Sequence, residues 1–383
     1  EMINMPVSDV YALVNSVVGQ ALGTTALTAT NAYQLVDMGN AVISSTTNTE
    51  SFMNVLADRI GRTIFTDRAY SAKYQSMILS DMEMGGILQK VSVKLFDAET
   101  DSDDTDGAWG LTQGQSVDQW VVNKPEPKQT FFSKRSVYKY HVSVAREQIK
   151  SAFTSESAMG QFINYVFQAM QNSIEFGIEQ LGRQTMANYI AQVNNSAQAS
   201  KRVIPLVTNF NTAFAPTTDL TAETALRDPD FLRYATEQIN LYSDYLTDMT
   251  TAYNDGSIER HTPKSEQRLY VLSSFEKRLE TVVQYAAFHK EFVSLNGYET
   301  INYWQALQSP ADINVNIAAS TAKTVNNVMA VLTDRYALGL AKMDDFVLTT
   351  PINASGAYYN VFHHIHRMWI NDLSENGVIF TLG

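Results

Sequence analysis

The chain has no cysteine among its 383 residues. That excludes disulfide staples, thiolate metal sites and cysteine nucleophiles, and leaves stability to packing and partners. Basic residues are few: 28 Lys and Arg face 40 Asp and Glu, a net charge of −12. A dedicated nucleic-acid binder needs clustered cations to displace phosphate counterions, so this balance argues against one. It is compatible with a wall that contains DNA without sticking to it. Uninterrupted apolar runs fall far short of a membrane span. The opening EMINMPVSDVYALVNSVV lacks a basic flank and a small-residue cleavage site, so it is not expected to be a secretory signal. Also missing are the phosphate loop GxxxxGK(S/T), the GxSxG elbow and HExxH, which leaves the enzyme reading without a motif.

What is present is apolar material in clear periodic patterns. Hydrophobic residues make up 45% and charged residues 18%, enough for real cores and too little charge for a disordered chain. Ser8 is a good cap for a first helix to Leu22, striped by Val10, Leu13, Val14, Val17, Val18 and Ala21. Gly23 to Asn31 and Ser44 to Asn48 are polar and loop-like. Residues 1–48 therefore read as an extended arm with one helix. Asn48 or Thr49 caps a second helix carrying Phe52, Val55, Leu56, Ile60 and Ile64 on one face.

From Gly85 the period changes to two. Val91, Val93 and Leu95 alternate with polar residues, and Tyr138, Tyr140, Val142 and Val144 do the same, so these two strands are expected to pair as a long hairpin. The interval between them holds the acidic run DAETDSDDTDG, a Gly-rich segment and two prolines. A two-stranded ribbon is marginal alone, so something else must hold it. Next comes a proline-free stretch from Ser155 to Val193, a rod of roughly 58 Å if helical throughout. Its stripe is Phe162, Val166, Met170, Ile174, Ile178, Leu181, Thr185 and Tyr189, widened by Phe167, Phe176 and Ile190. Gly177 and Gly182 interrupt it, a cost explained by close approach of another backbone. Residues 202–350 alternate strand and helix, with Asp228-Pro229 as a capped helix start. YYNVFHHIHRMWI and GVIFTLG are two terminal strands joined by the turn NDLSENG.

Two clusters invite a metal. In the acidic run, taking Asp101 as the first calcium ligand puts Asp106 where the turn glycine belongs and Thr112 where the bidentate glutamate belongs. A solvated or partner-docking loop fits better, with loose divalent binding by Asp103, Asp104 and Asp106 left open. His364 and His366 share one face of a strand; they either share a metal or, more simply, pack on a neighbouring element. No catalytic, cofactor or metal residue is assigned.

The order arm, helix, long hairpin, long helix, α/β unit and terminal strands resembles the Hong-Kong-97-like capsid fold of tailed-bacteriophage major capsid proteins, an α+β fold, closest in texture to those of short-tailed phages. The stretches that carry the resemblance are SFMNVLADRIGRTIF, FINYVFQAMQNSIEFGIEQLGRQTMANYI and VFHHIHRMWINDLSENGVIF. It implies an N-terminal arm (1–48), a joining helical segment (49–84), an extended hairpin loop (85–145), a spine helix of a peripheral domain (146–201), an axial α/β domain (202–350) and C-terminal strands returning to the peripheral domain (351–383). It further implies a structural virion protein and not an enzyme. Copies of the chain would assemble as pentamers and hexamers into an icosahedral shell around DNA, with no cofactor and no membrane, and with scaffolding, portal and decoration proteins as further partners. On this reading Asp97, Glu99, Asp101, Asp103, Asp104 and Asp106 form a tip that meets a neighbour's basic residues, for which Lys134, Arg135, Arg146 and Lys150 are the candidates. Rival readings are an encapsulin-like compartment, a multidomain enzyme without a recognisable motif, and an extracellular array.

Overall fold

The computed structural model describes residues 7–23, 28–64, 73–78, 88–96, 114, 116, 120, 122, 124–133, 135–163, 169–256, 258–283, 298–318, 321–343 and 345–383. The chain divides into two units. The first comprises 1–84, 134–184 and 340–369; the second comprises 85–133, 185–339 and 370–383.

The first unit is built on a helical cluster. Helices Val7–Leu22, Ala32–Ile43 and Thr46–Ile64 pack with Arg146–Ala152 and Glu156–Ile163 around one core. Val10, Val14 and Val17 of the first, Leu35, Met38 and Val42 of the second, and Phe52 and Leu56 of the third are all buried there. Residues 1–48 are thus not an extended arm with one helix. A second helix runs from Ala32, capped by Asn31, whose side chain accepts from the Gln34 amide at 3.0 Å. The third helix begins at Thr46, and Ser45 Oγ accepts from the Asn48 amide at 3.1 Å. The polar flanks of these short helices look like loop, and only the shared core makes them fold.

Gly39 in the second helix lies directly against Phe153. A Cβ there would lie 2.4 Å from Phe153 Cβ, an atom held by its own backbone.

Strand Arg135–Ala145 is not the partner of the first hairpin strand. It pairs antiparallel with Tyr358–Asn371 over eleven positions, from Tyr358↔Ala145 to Met368↔Arg135. The strand that pairs with Leu88–Val93 is Pro127–Phe132. PKQTFF has weak alternation and starts on a proline, a residue confined to strand starts and sheet edges, so its sequence signal is faint. Leu338–Lys342 and Phe346–Thr349 also pair with the 358–371 strand.

The expected rod is observed as helices Glu156–Ile163 and Ala169–Asn194; residues 164–168 of the stripe, with Val166 and Phe167, lie outside the described residues. Met170 and Ile174 pack on Ile365 with Tyr138 and Tyr140 alongside. Phe176 does not widen the stripe, being 55% exposed. The two helix glycines face side chains rather than a backbone: a Cβ on Gly177 would meet the Tyr140 hydroxyl at 2.2 Å, and one on Gly182 would meet Tyr74 Cβ at 3.2 Å.

The second unit holds a mixed five-stranded sheet, in the order Val203–Pro205, Gly377–Thr381, Val328–Asp334, Gln267–Leu272, Tyr298–Ile301. The last strand of the chain therefore joins the α/β elements rather than the 358–371 strand, and the NDLSENG turn connects strands of two different sheets. The three central strands are almost wholly buried and read as continuous apolar runs. Helix Pro229–Tyr245 is capped as expected: Asp228 Oδ1 accepts from the amides of Asp230 at 2.8 Å and Phe231 at 3.0 Å. Leu206 and Val207 start helix Leu206–Phe214 directly after the short strand Val203–Pro205. A small ribbon, Ile313–Ala318 with Thr321–Val325, was not expected. Among the described residues no helix is long and apolar enough to cross a membrane.

Gly39→Ala tests the helical cluster. The added methyl must displace Phe153, so the loss is expected to be about 1–3 kcal/mol despite alanine's better helix propensity. A lowered urea midpoint with an unchanged slope is the expected readout.

Candidate assembly surfaces

The ribbon formed by Leu88–Val93 and Pro127–Phe132 carries its polarity the unusual way round. Lys90 lies opposite Thr130 and Ser92 opposite Lys128, so these four share one face. That face is turned toward the second unit's own polar groups. Lys90 Nζ reaches Asp372 Oδ2 at 2.6 Å and also pairs with Glu375. Lys128 Nζ donates to the Gly256 carbonyl at 2.6 Å. The opposite face carries Val91, Val93 and Phe131, which are 56%, 48% and 58% exposed. Leu95 and Phe96, which follow the strand in sequence, are also exposed, as are Trp120 and Val122. A set of large apolar groups this open marks an interaction surface.

The floor under the ribbon is a polar network that sequence reading took for a plain turn. Arg202 is fully buried. Its Nε donates to the Gly377 carbonyl at 3.0 Å, one Nη donates to the Tyr189 hydroxyl at 3.1 Å, and the other lies 3.2 Å from Asp255 Oδ2. Arg260 donates to the Ser374 carbonyl at 3.0 Å and pairs with Glu375 at 3.1 Å. Asn376 joins Asn254, Thr262 and the Arg260 carbonyl. Burial pushes the Asp372 carboxyl up, but Lys90 and the bonds from Ser374 outweigh it and hold it below its ordinary value. For Glu375 burial wins over Lys90 and Arg260, helped by the Asp334 charge, and its value is raised. Gly377 has no room for a side chain, since a Cβ would sit 2.0 Å from the Tyr189 hydroxyl.

In the first unit, the outer face of the sheet carries Val137, Lys139 and His141 from one strand and Phe362, His364 and His366 from the next, with Phe346 and Leu348 beside them. No acidic residue stands on this face among the described residues. Lys139 lies over the Phe362 ring at 5.7 Å, and His141 stacks on the same ring at 5.8 Å. His364 and His366 share their face, as the strand period requires, and both lie against Phe346, at 4.8 and 5.7 Å. Among the described residues no group of three His, Cys, Asp or Glu is placed to hold a metal.

Of the residues singled out from sequence, Asp97, Glu99, Asp101, Asp103, Asp104, Asp106 and Lys134 lie outside the described residues. Arg135, Arg146 and Lys150 do not form one patch. Arg135 opens the eleven-residue strand and Arg146 follows its other end, which separates them by some 35 Å. Arg146 is partly used within the subunit, donating to the Ile43 carbonyl at 3.2 Å. Sequence reasoning missed Lys90, Arg202, Asp372 and Glu375. The one available signal was two lysines on the ribbon's alternate positions, Lys90 and Lys128, facing away from its valines.

Residues 14–381 match the family described as Phi29-like phage major capsid protein. The chain belongs to that family. No curated protein matches the sequence. Its fold is similar to a chain in the capsid structure of Staphylococcus phage Andhra, with a TM-score of 0.51, 11% identity, and 83% of this chain and 86% of the other covered. It is also similar to a chain in the structure of the head fiber and inner core protein gp22 of native bacteriophage P68, with a TM-score of 0.52, 9% identity, and 83% and 86% covered. The fold is the α+β Hong-Kong-97-like capsid fold. This major capsid protein of a tailed bacteriophage is a structural component of the virion that assembles with copies of itself into an icosahedral shell. The family decides for virus over compartment, and for shell over enzyme or extracellular array.

Arg202→Met is expected to destabilise the capsid subunit by about 3 kcal/mol, because it leaves Asp255 and the turn carbonyls without their cation. Tyr189→Phe, which removes one bond to that guanidinium, should cost about 1–2 kcal/mol. Urea titrations of both variants measure the difference. Burial also pushes the His363 imidazole below its usual value. Its contribution is intact above the ordinary histidine value of about 6.5 and is lost as pH falls through the depressed one. His363→Gln should therefore flatten the fall in urea midpoint on acidification.

Proposed function

We propose that the shell is built of pentamers and hexamers in which the ribbon docks on a neighbouring copy. The single observation behind this is the inverted ribbon: its charged face is spent on its own unit while Val91, Val93 and Phe131 stand open. A folded chain leaves such groups bare only if assembly covers them. Obligate interfaces bury upwards of about 2,000 Å², and the exposed apolar face of the ribbon adds to that area. The acidic run from Asp97 to Asp106 follows directly on the exposed Leu95 and Phe96, and it meets basic residues of the neighbour. Arg135, Lys134, Arg146 and Lys150 remain the named candidates, and the acid-free face with Lys139 supports a basic receiving surface. The extended loop, spine helix, peripheral unit and axial unit take the roles that the resemblance assigns them.

Within the shell, DNA is enclosed without sequence-specific binding, in keeping with the net charge of −12. Scaffolding, portal and decoration proteins are the further partners of this reading.

The test is the triple variant Val91→Ser, Val93→Ser, Phe131→Ser, with deletion of Asp97–Gly107 in parallel. Sedimentation and negative-stain imaging should find folded subunits with a normal unfolding midpoint and no closed particles in the first, and impaired closure in the second. Particles of normal size and yield from both would end the docking reading.

A further inference from the structure

The ribbon's attachment is itself a device. Its charged face meets the second unit through Lys90, held by Asp372 and Glu375, and through Lys128, held by the Gly256 carbonyl. Polar contacts of this kind fix an angle only while their charges persist, whereas the apolar face that would anchor a strand permanently points outward. We infer that Lys90, Asp372 and Glu375 form an acid-sensitive clasp that sets the angle of the ribbon on its own unit. The clasp concerns the subunit alone and holds whether or not the ribbon docks on a neighbour.

The two carboxylates do not respond alike. The groups facing Glu375 are Lys90 from the ribbon, Arg260 from the segment after helix Pro229–Tyr245, Asp372 from the same turn and Asp334 from the end of its strand. Burial, helped by the Asp334 charge, outweighs the two cations and leaves the carboxyl raised. Asp372 also accepts from the Ser374 amide at 2.9 Å and stays ionised to lower pH. As pH falls, Glu375 is neutralised first and Lys90 is left with one anionic partner. A neutral acceptor holds an ammonium less strongly than a carboxylate does. The sign for global stability is the opposite: a raised carboxyl binds its proton more tightly in the folded state, so protonating Glu375 favours the fold between its ordinary and its raised value. Loosening of the ribbon and loss of the fold therefore separate cleanly.

The absence of cysteine makes the measurement direct, since two introduced thiols are the only labelling sites. Gln129→Cys on the ribbon's outer face and Met249→Cys on the exposed body of the same unit carry spin labels, in the unassembled full chain. The interspin distance distribution should broaden on going from about pH 7.5 to about pH 4.5, the ordinary glutamate range, while the five-stranded sheet stays folded. Glu375→Gln should give the broad distribution at both values, and Lys90→Met likewise, whereas Lys90→Arg should restore the narrow one at the higher pH. A distribution unmoved by acid in the unsubstituted clasp, or unmoved by Glu375→Gln, overturns the inference. The acid arm needs no clasp substitution, so a Lys90→Met chain that fails to fold does not rescue it.

Discussion

The buried guanidinium of Arg202 is the interaction on which the second unit depends. It lies at the end of the short helix Ala199–Arg202 and reaches the Gly377 carbonyl, the Tyr189 hydroxyl and Asp255 together. An unpaired charge at that depth would cost several kcal/mol, so each of these acceptors is required once the arginine is there. The arrangement pins the long helix at Tyr189 and the 371–377 turn at Gly377, and it fixes where Asp372 and Glu375 stand. The strand that follows, Gly377–Thr381, then enters the sheet between Val203–Pro205 and Val328–Asp334. Gly377 allows this because the Tyr189 hydroxyl occupies the space of its missing side chain.

From that fixed turn the ribbon takes its polarity. Lys90 is drawn to the carboxylates of the turn and Lys128 to the Gly256 carbonyl, and the strand period sends the valines to the other side. In a free-standing protein this would be a liability, since an exposed apolar ribbon templates aggregation. In the docking reading proposed for this major capsid protein, the surface left open by the chain is the one that assembly buries.

Legibility in the sequence followed the range of the interactions. The apolar period of the long helix needed only neighbours three and four residues apart, and Met170, Ile174, Leu181, Thr185, Tyr189 and Ile190 are buried as that period requires. The Asp228 cap was equally local. Helix Ala32–Ile43 was not legible, because a twelve-residue segment with Gly39 inside is marginal until Phe153, more than a hundred residues away, closes over it. The pairing of Arg135–Ala145 was misread for a similar reason. Two strands of matching alternation near each other in sequence look like a hairpin, and the partner actually used, Tyr358–Asn371, lies over two hundred residues on.

By itself the sequence determined the α+β class, the long helix and the capped helix starts, since these rest on periodicity and caps along the chain, and the family was legible only as a resemblance in the order of elements. It also determined that no thiol and no phosphate-loop motif was available for other work. Only the tertiary structure decided which strand pairs with which, that the ribbon shows its apolar face to the outside, and that a seven-residue polar turn grips it. These depend on charges and backbones brought together across hundreds of residues, where burial, not spacing, sets which group each one meets.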